Sequence, residues 1–244
     1  MAQFYRYSEE GLAEAVLLAR HALAIDPAYT PAAALVGSCR WVQVVQRWKV
    51  SDDDIADCIR LARQALQAAR DDADTMWQAG YTLFVLAGET AMGATFVDRA
   101  LALNPNAANG WMVRGWIHAL LNQPEAAIEA CNRARRLSPF DPLGFLSAAA
   151  LAAAHLAARR FDESIEWADR ALHDQPGNAV ALRIKVVACA HFGRLDEARA
   201  ELDRLLAIYP GMTITGYRER TQMHMAPEVL ELFVTGLRLA GLPE

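Results

Sequence analysis

Residues 107–139 read AANGWMVRGWIHALLNQPEAAIEACNRARRLSP, and this stretch decides the fold. Gly115 and Ala127 are small residues in two successive helical segments, where small side chains let two helices approach closely. Pro139 ends the second segment, because proline cannot continue a helix. The closing prolines recur with spacings of 34, 37 and 34 residues: Pro105, Pro139, Pro176 and Pro210. This spacing predicts a stack of helical hairpins.

Hydrophobic periodicity and capping signals predict a helix in each of twelve segments. Their ranges are 8–25, 31–48, 52–70, 74–87, 90–103, 107–121, 124–137, 142–158, 161–173, 178–191, 195–208 and 227–239. The predicted fold is all-α, a right-handed superhelix of stacked antiparallel helix pairs. Residues 1–29 are expected to supply only the second helix of a first pair, residues 30–210 about five pairs, and residues 211–244 a closing segment and helix. The closing helix, 227–239, is expected to have no partner helix. The apolar side of the first helix is therefore expected to need a cover.

Composition and charge disfavour several classes of function. The chain has 24 basic and 29 acidic residues, and its net charge of −5 disfavours direct binding to nucleic acid. No long apolar stretch is free of polar interruption, so no membrane span is predicted. The first residues lack a basic region followed by an apolar stretch. We therefore expect no signal peptide and a cytoplasmic location.

No recognisable catalytic or metal-binding motif is present in the sequence. The four cysteines lie far apart with no C-x-x-C pair: Cys39, Cys58, Cys131 and Cys189. This spacing favours buried thiols over disulfides or zinc. The run Met223-His224-Met225 contains copper-ligand types, but it is a single short cluster for which ordinary packing is favoured. We therefore predict no enzyme activity, no metal and no cofactor.

The repeating unit resembles the tetratricopeptide repeat, whose pattern is W-x2-L-G-x2-Y…A-x3-F…P. Four residues match this pattern: Trp111, Gly115, Ala127 and Pro139. Three residues depart from it: Arg114, His118 and Cys131. The resemblance implies a scaffold for protein interactions that has no catalysis of its own.

Three segments also resemble the C-terminal repeat regions of certain bacterial signalling proteins: residues 102–106, 136–142 and 236–244. In those proteins the repeats follow a class III adenylate or guanylate cyclase domain, or a winged-helix transcription-regulator domain. The resemblance implies a bacterial regulatory module that acts on an upstream output domain of the same polypeptide or on an associated one. Any cyclase activity would belong to that domain and not to these residues.

The concave face of such a stack is lined by the first helix of each pair, and it is the predicted site for a protein or peptide. Counting from the repeat starts assigns residues of five first helices to this face, and nine of them are predicted to bind the partner: Trp41, Gln78, Thr82, Met112, Trp116, Leu146, Ala149, Arg183 and Val187. Only Arg183 is charged, so the predicted ligand is an apolar or amphipathic helix with an acidic residue near Arg183. Trp111 is expected in the core of its hairpin, and the ring of Trp116 is expected to face the groove.

Chaperone-binding members of the family hold an acidic C-terminal peptide with Lys, Asn and Arg side chains on successive first helices. The matching positions of this chain are apolar: Met112, Trp116, Ala150, Val180 and Ile184. This departure argues against that mode of binding.

Two functions from different classes remain open. The first is a non-catalytic scaffold that binds an apolar or amphipathic partner segment in the concave groove. The alternative is a self-association or structural module, whose groove is filled by its own tail or by a second copy in a homodimer. A third interpretation, a degenerate enzyme or small-ligand binder, lacks convergent polar groups in the sequence.

Overall fold

The computed structural model describes residues 2–244, and these fold as two compact units that divide after Val113. All regular secondary structure in these residues is helical, which confirms the predicted all-α solenoid fold. When the π-helical turn Leu83–Ala87 is counted with the helix before it, the twelve predicted helices agree with the observed ones to within two residues at each end. Two short helices, Ala2–Tyr5 and Ile214–Thr221, were not predicted.

The first unit contains six helices and the beginning of a seventh. They are α1 (Ala2–Tyr5), α2 (Glu9–Ile25), α3 (Thr30–Gln46), α4 (Asp52–Ala68), α5 (Ala73–Thr82), α6 (Thr90–Leu103) and α7 (Ala108–Leu120). Three of them begin at side-chain caps, because the oxygens of Ser8, Ser51 and Asp72 accept bonds from free backbone N–H groups in the first turn. Helix α5 continues into a π-helical turn, Leu83–Ala87.

Small residues bring the helices of the first unit together. A methyl group on Gly93 would lie 2.6 Å from the backbone oxygen of Gly80, so α5 and α6 cross with their backbones nearly in contact. Alanines fill much of the buried cluster below this crossing, with Met76 and Leu83 as its larger fully buried members. Close helix approach therefore replaces bulky side chains as the source of packing.

On α2, one side remains largely uncovered. Leu17 is 68% exposed and Ile25 is 78% exposed, although both are large apolar residues. The short helix α1 packs against α2, where the sequence predicted no first helix. Several apolar side chains are thus exposed on this face, and the expectation that it needs a cover stays a prediction.

The second unit contains the rest of α7 and seven further helices. They are α8 (Pro124–Leu137), α9 (Gly144–Ala157), α10 (Phe161–Asp174), α11 (Ala179–His191), α12 (Leu195–Ile208), α13 (Ile214–Thr221) and α14 (Pro227–Ala240). Gly115 of α7 faces Cys131 of α8 so closely that an added methyl group would overlap Cys131 Sγ. The small residue of the sequence motif is therefore required at this contact.

Lys185 of α11 ties three helices of this unit together. Its Nζ lies 2.8 Å from Asp169 of α10, and 3.2 Å and 2.9 Å from Glu197 and Glu201 of α12. Burial opposes the charge of Lys185, but hydrogen bonds to the three carboxylates outweigh it and raise the pKa of the ammonium group. Among residues 2–244, no helix is both long and apolar enough to cross a bilayer.

Candidate partner-binding faces

Trp41 of α3 is the first of the predicted groove residues, and it is buried in the first unit. Its ring meets Tyr81 edge to face, with ring centroids 5.1 Å apart. Its indole Nε1 has no hydrogen-bond partner within residues 2–244. Ser38 Oγ, one turn before Trp41 in α3, donates to Gln78 Oε1 of α5 at 3.1 Å, and Gln78 is partly exposed. In the first unit, Trp41 of α3 therefore packs on the ring of Tyr81, and Gln78 of α5 is hydrogen-bonded to Ser38.

Thr82 is fully buried in the contact between α3 and α5. A methyl group on Gly37 would lie 2.5 Å from Thr82 Oγ1, and this hydroxyl donates to the carbonyl oxygen of Gln78 at 2.8 Å. Met112 is also buried. In the first unit, the predicted groove residues thus expose little surface to a partner, and their role in binding stays a prediction.

For the two tryptophans of α7, the expected contrast is wrong. Trp111 is partly exposed, and its Nε1 donates to the carbonyl oxygen of Pro105 at 2.9 Å. Trp116 is the more buried of the two, at 9% exposed. An indole N–H needs a partner, and the turn at Pro105 supplies one at the edge of the helix pair, which explains the position of Trp111.

Leu146 and Ala149 of α9 are buried in the second unit together with most of their helix. Arg183 and Val187 of α11 are buried as well, and here the covering element can be named. It is the closing segment, residues 211–244, which includes α13 and α14.

Helix α14 runs antiparallel to α11 across its predicted binding face. A methyl group on Gly236 would lie 2.7 Å from Val187 Cγ1 and 3.0 Å from Val187 Cα. One turn earlier in α14, the carbonyl oxygen of Leu232 accepts a hydrogen bond from His191 Nε2 at 2.8 Å. The amide of Ala226, just before α14, donates to the carbonyl oxygen of Leu120 at the end of α7. The prediction that the closing helix has no partner helix is therefore wrong, because α14 packs on α11.

The closing helix is strongly amphipathic. Its buried side consists of Val229, Leu230, Leu232, Phe233, Val234, Gly236, Leu237 and Ala240. Its exposed side carries charges, and Glu231 pairs with Arg218 of α13 while Arg238 pairs with Glu244. The helix therefore has the character predicted for a partner segment.

Arg183 differs from the other predicted groove residues because it is charged and buried. Its guanidinium carbon lies 5.5 Å from the ring centroid of Tyr217 in α13, which is a cation–π arrangement. Nη1 of Arg183 has no hydrogen-bond partner in residues 2–244, and burial lowers the pKa of the guanidinium. Sequence reasoning identified Arg183 but missed Tyr217 and Gly236, which contact the face from the closing segment. The glycine inside an amphipathic helix was the available signal for Gly236.

The comparisons with known proteins agree with this architecture. Residues 93–142 and 149–213 match the tetratricopeptide repeat family. These two segments are similar to tetratricopeptide repeats. Tetratricopeptide folds generally serve as scaffolds for protein–protein interactions and generally lack catalysis. No curated protein matches the sequence at a significant level.

Two solved structures show the same fold at low sequence identity. PilW, described as a widely conserved type IV pilus biogenesis factor, is 14% identical with a TM-score of 0.58, over 76% of this chain and 86% of PilW. A tetratricopeptide repeat protein from Parabacteroides merdae ATCC 43184 is 14% identical with a TM-score of 0.53, over 94% of this chain and 93% of that one. Identity at this level shows a shared fold and nothing about partners.

Proposed function

We propose that this chain is a non-catalytic scaffold that binds an apolar or amphipathic helix of a partner protein on the faces of its first helices. The observation that carries the proposal is the seating of α14 on α11, with Gly236 against Val187. An amphipathic helix is thus a suitable occupant for this face. Helix-in-groove binding of this kind depends on apolar anchors at helical spacing.

The residues proposed to contact the partner are those predicted from sequence: Trp41, Gln78, Thr82, Met112, Trp116, Leu146, Ala149, Arg183 and Val187. Since most of them are buried, a partner reaches them only where a covering element moves aside. At Arg183 and Val187 that element is the closing segment. The partner helix would then replace α14 on α11.

The scaffold is further proposed to be the regulatory module of a cytoplasmic bacterial signalling protein. Its output would reside in an upstream domain of the same polypeptide or in an associated protein. The support is the sequence resemblance to repeat regions that follow cyclase or winged-helix domains.

A second candidate function is favoured by the same contact between α14 and α11. In this alternative the closing segment fills the face permanently as a structural cap, or α14 exchanges with that of a second copy. Light scattering over a concentration series tests the second copy, because self-association increases the mass without any partner.

The leading proposal is tested with a labelled peptide of residues 226–244, which has the sequence of α14, and with the full-length chain. In the wild type, the chain's own α14 competes at high effective concentration, so the peptide should bind weakly. Gly236→Leu forces α14 away from Val187 and should strengthen peptide binding by about tenfold, given the usual penalty for overpacking. Thr235→Leu is the matched control, because Thr235 is exposed on the same helix. Failure of the peptide to bind the Gly236→Leu chain would contradict the proposal.

A further inference from the structure

Arg183 and Lys185 lie two residues apart on α11, and each is 8% exposed. Lys185 is neutralised by three carboxylates. Within residues 2–244, Arg183 forms no ion pair, and its Nη1 forms no hydrogen bond. The same helix therefore holds one buried cation that is compensated and one that is not.

An unpaired buried charge is unusual, because removing an ion from water is unfavourable unless a counter-charge and hydrogen bonds replace the water. Arginine cannot avoid this penalty by releasing its proton, since it stays charged in proteins. Tyr217 compensates only in part, through a side-chain hydrogen bond with Arg183 and through its ring, whose centroid lies 5.5 Å from the guanidinium carbon, near the limit of a cation–π contact. The Nη1 edge is left with its donors unused.

A second arginine, Arg220, acts electrostatically on Arg183. Arg220 of α13 is exposed and lies over the ring of Tyr209 at 5.4 Å, and within residues 2–244 it forms no ion pair. Its charge acts against that of Arg183. Arg183 thus lies over the ring of Tyr217, and Arg220 of the same helix as Tyr217 lies over the ring of Tyr209. Among the described residues, no acidic side chain is paired with either arginine.

We infer that Arg183 and Arg220 form a carboxylate-binding site beneath α13, and that its ligand is an acidic side chain of the partner segment. A carboxylate matches the planar donor edge of a guanidinium, which can bind both oxygens at once. Arg220 attracts the acid from solvent, and Nη1 of Arg183 provides the buried contact. The assignment of the carboxylate to a partner protein rests on the proposed function. The existence of a carboxylate-binding site does not.

Access to the site requires movement of α13, because Nη1 of Arg183 has no contact with solvent. Helix α13 is only eight residues long and follows the turn at Pro210 and Gly211. When the carboxylate enters, Tyr217 moves away together with α13. Arg183 then loses its contact with the Tyr217 ring and gains a contact with the carboxylate. The binding site and the lifting of the closing segment are therefore one event.

The site is tested by thermal unfolding of the full-length chain in sodium acetate, with sodium chloride at equal ionic strength as the reference. Acetate at about five times its Kd should raise the Tm by about 2–4 °C for a chain of this length. Arg183→Gln should abolish this rise, and Arg220→Gln should reduce it. Arg199→Gln is the matched control, because Arg199 is an exposed arginine on α12 whose one ion pair among the described residues is with Asp196. An equal rise in the Arg183→Gln chain, or no rise in the wild type, would overturn the site.

Inorganic phosphate and peptide pairs separate the sources of the anion. Equal stabilisation by phosphate and acetate, retained in both arginine variants, would indicate general salt binding and overturn the inference. Two amphipathic peptides that differ only by Glu or Gln test the partner side chain in the Gly236→Leu chain, and the Glu peptide should bind at least fivefold more tightly. If the two peptides bound equally while acetate still raised the Tm of the wild type, the site would bind a free carboxylate. That result would overturn the assignment of the ligand to a partner side chain, but not the site.

Discussion

Gly236 of the closing helix lies against Val187 of α11 with no room for a side chain between the two backbones. Gly236→Ala should therefore lower the free energy of unfolding. The gain in helix propensity is about 1 kcal/mol, whereas overpacking against a buried backbone costs about 1–3 kcal/mol. Urea denaturation followed by circular dichroism measures the difference. Gly144→Ala is the control, because a methyl group on Gly144 meets no atom within 4 Å. A stability gain of equal size in both variants would show that α14 is not tightly seated.

Lys185→Met should destabilise the second unit, because it leaves three carboxylates without their shared cation. Removing one partner of a buried ion pair typically costs 3–5 kcal/mol, and partial exposure of Asp169 and Glu197 reduces the expected loss to about 2–3 kcal/mol. Chemical denaturation at neutral pH measures this loss. Arg199→Met, at an exposed pair on α12, should change the stability by less than about 0.5 kcal/mol.

The contribution of Lys185 should depend on pH in a defined direction. Its pKa is raised in the folded state, so its stabilising effect is fully present below the unfolded pKa of about 10.4 and is lost as pH rises through the folded pKa. The stability difference between wild type and Lys185→Met should therefore be constant from pH 7 to about 9 and shrink only in stronger alkali. A difference that disappears by pH 9 would contradict the ion cluster.

Trp116→Ala should cost more stability than Trp111→Ala. Trp116 is buried, and large-to-small changes of buried aromatic residues cost about 3–5 kcal/mol. Trp111 is partly exposed and loses one hydrogen bond to Pro105 with some packing, so about 1–2 kcal/mol is expected. Denaturant midpoints of the two variants at equal m-values decide the order. The reverse order would restore the assignment made from sequence.

The cysteines should be unreactive in the native protein. Burial raises the pKa of each thiol to about 12: Cys39, Cys58, Cys131 and Cys189. At pH 8 almost no thiolate is then available, and the side chains are enclosed as well. Ellman's reagent should titrate none of them in buffer and all four in guanidinium chloride. Rapid reaction of one thiol in buffer would show local opening of its helix pair.

The helix pairs could be predicted from sequence because their signals are local. Gly115 is a small residue at the position where its helix must approach Cys131, and Pro139 ends the next helix, so both features are visible within one unit. The path of the closing segment could not be predicted in this way. Tyr217 and Arg183 are 34 residues apart, and their contact depends on how the chain turns after Pro210. Counting from repeat starts located α11, but covering of its face by the chain's own tail was only one of the alternatives that the sequence left open.

The same counting was unreliable in α5. Thr82 was assigned to the open face, although its side chain packs against Gly37 in a helix–helix contact. Nothing in a single residue's type distinguishes these two positions, since a threonine suits both. Trp111 and Trp116 show the same limit, because either indole fits a core position by composition alone.

The π-helical turn Leu83–Ala87 accommodates one additional residue in this repeat. The small residues at the crossing of α5 and α6, Gly80 and Gly93, are 13 residues apart, whereas Gly115 and Ala127 in the next pair are 12 apart. The backbone amide of Gly88 bonds to the carbonyl oxygen of Leu83, five residues back, so one widened turn accommodates the additional residue inside the helix. Repeat positions after this turn are therefore offset by one residue from those before it, so the two sides of the turn need separate numbering against the repeat. Grafting or consensus design of this pair must carry the widened turn as a unit, or every side chain after it will be rotated away from its partner.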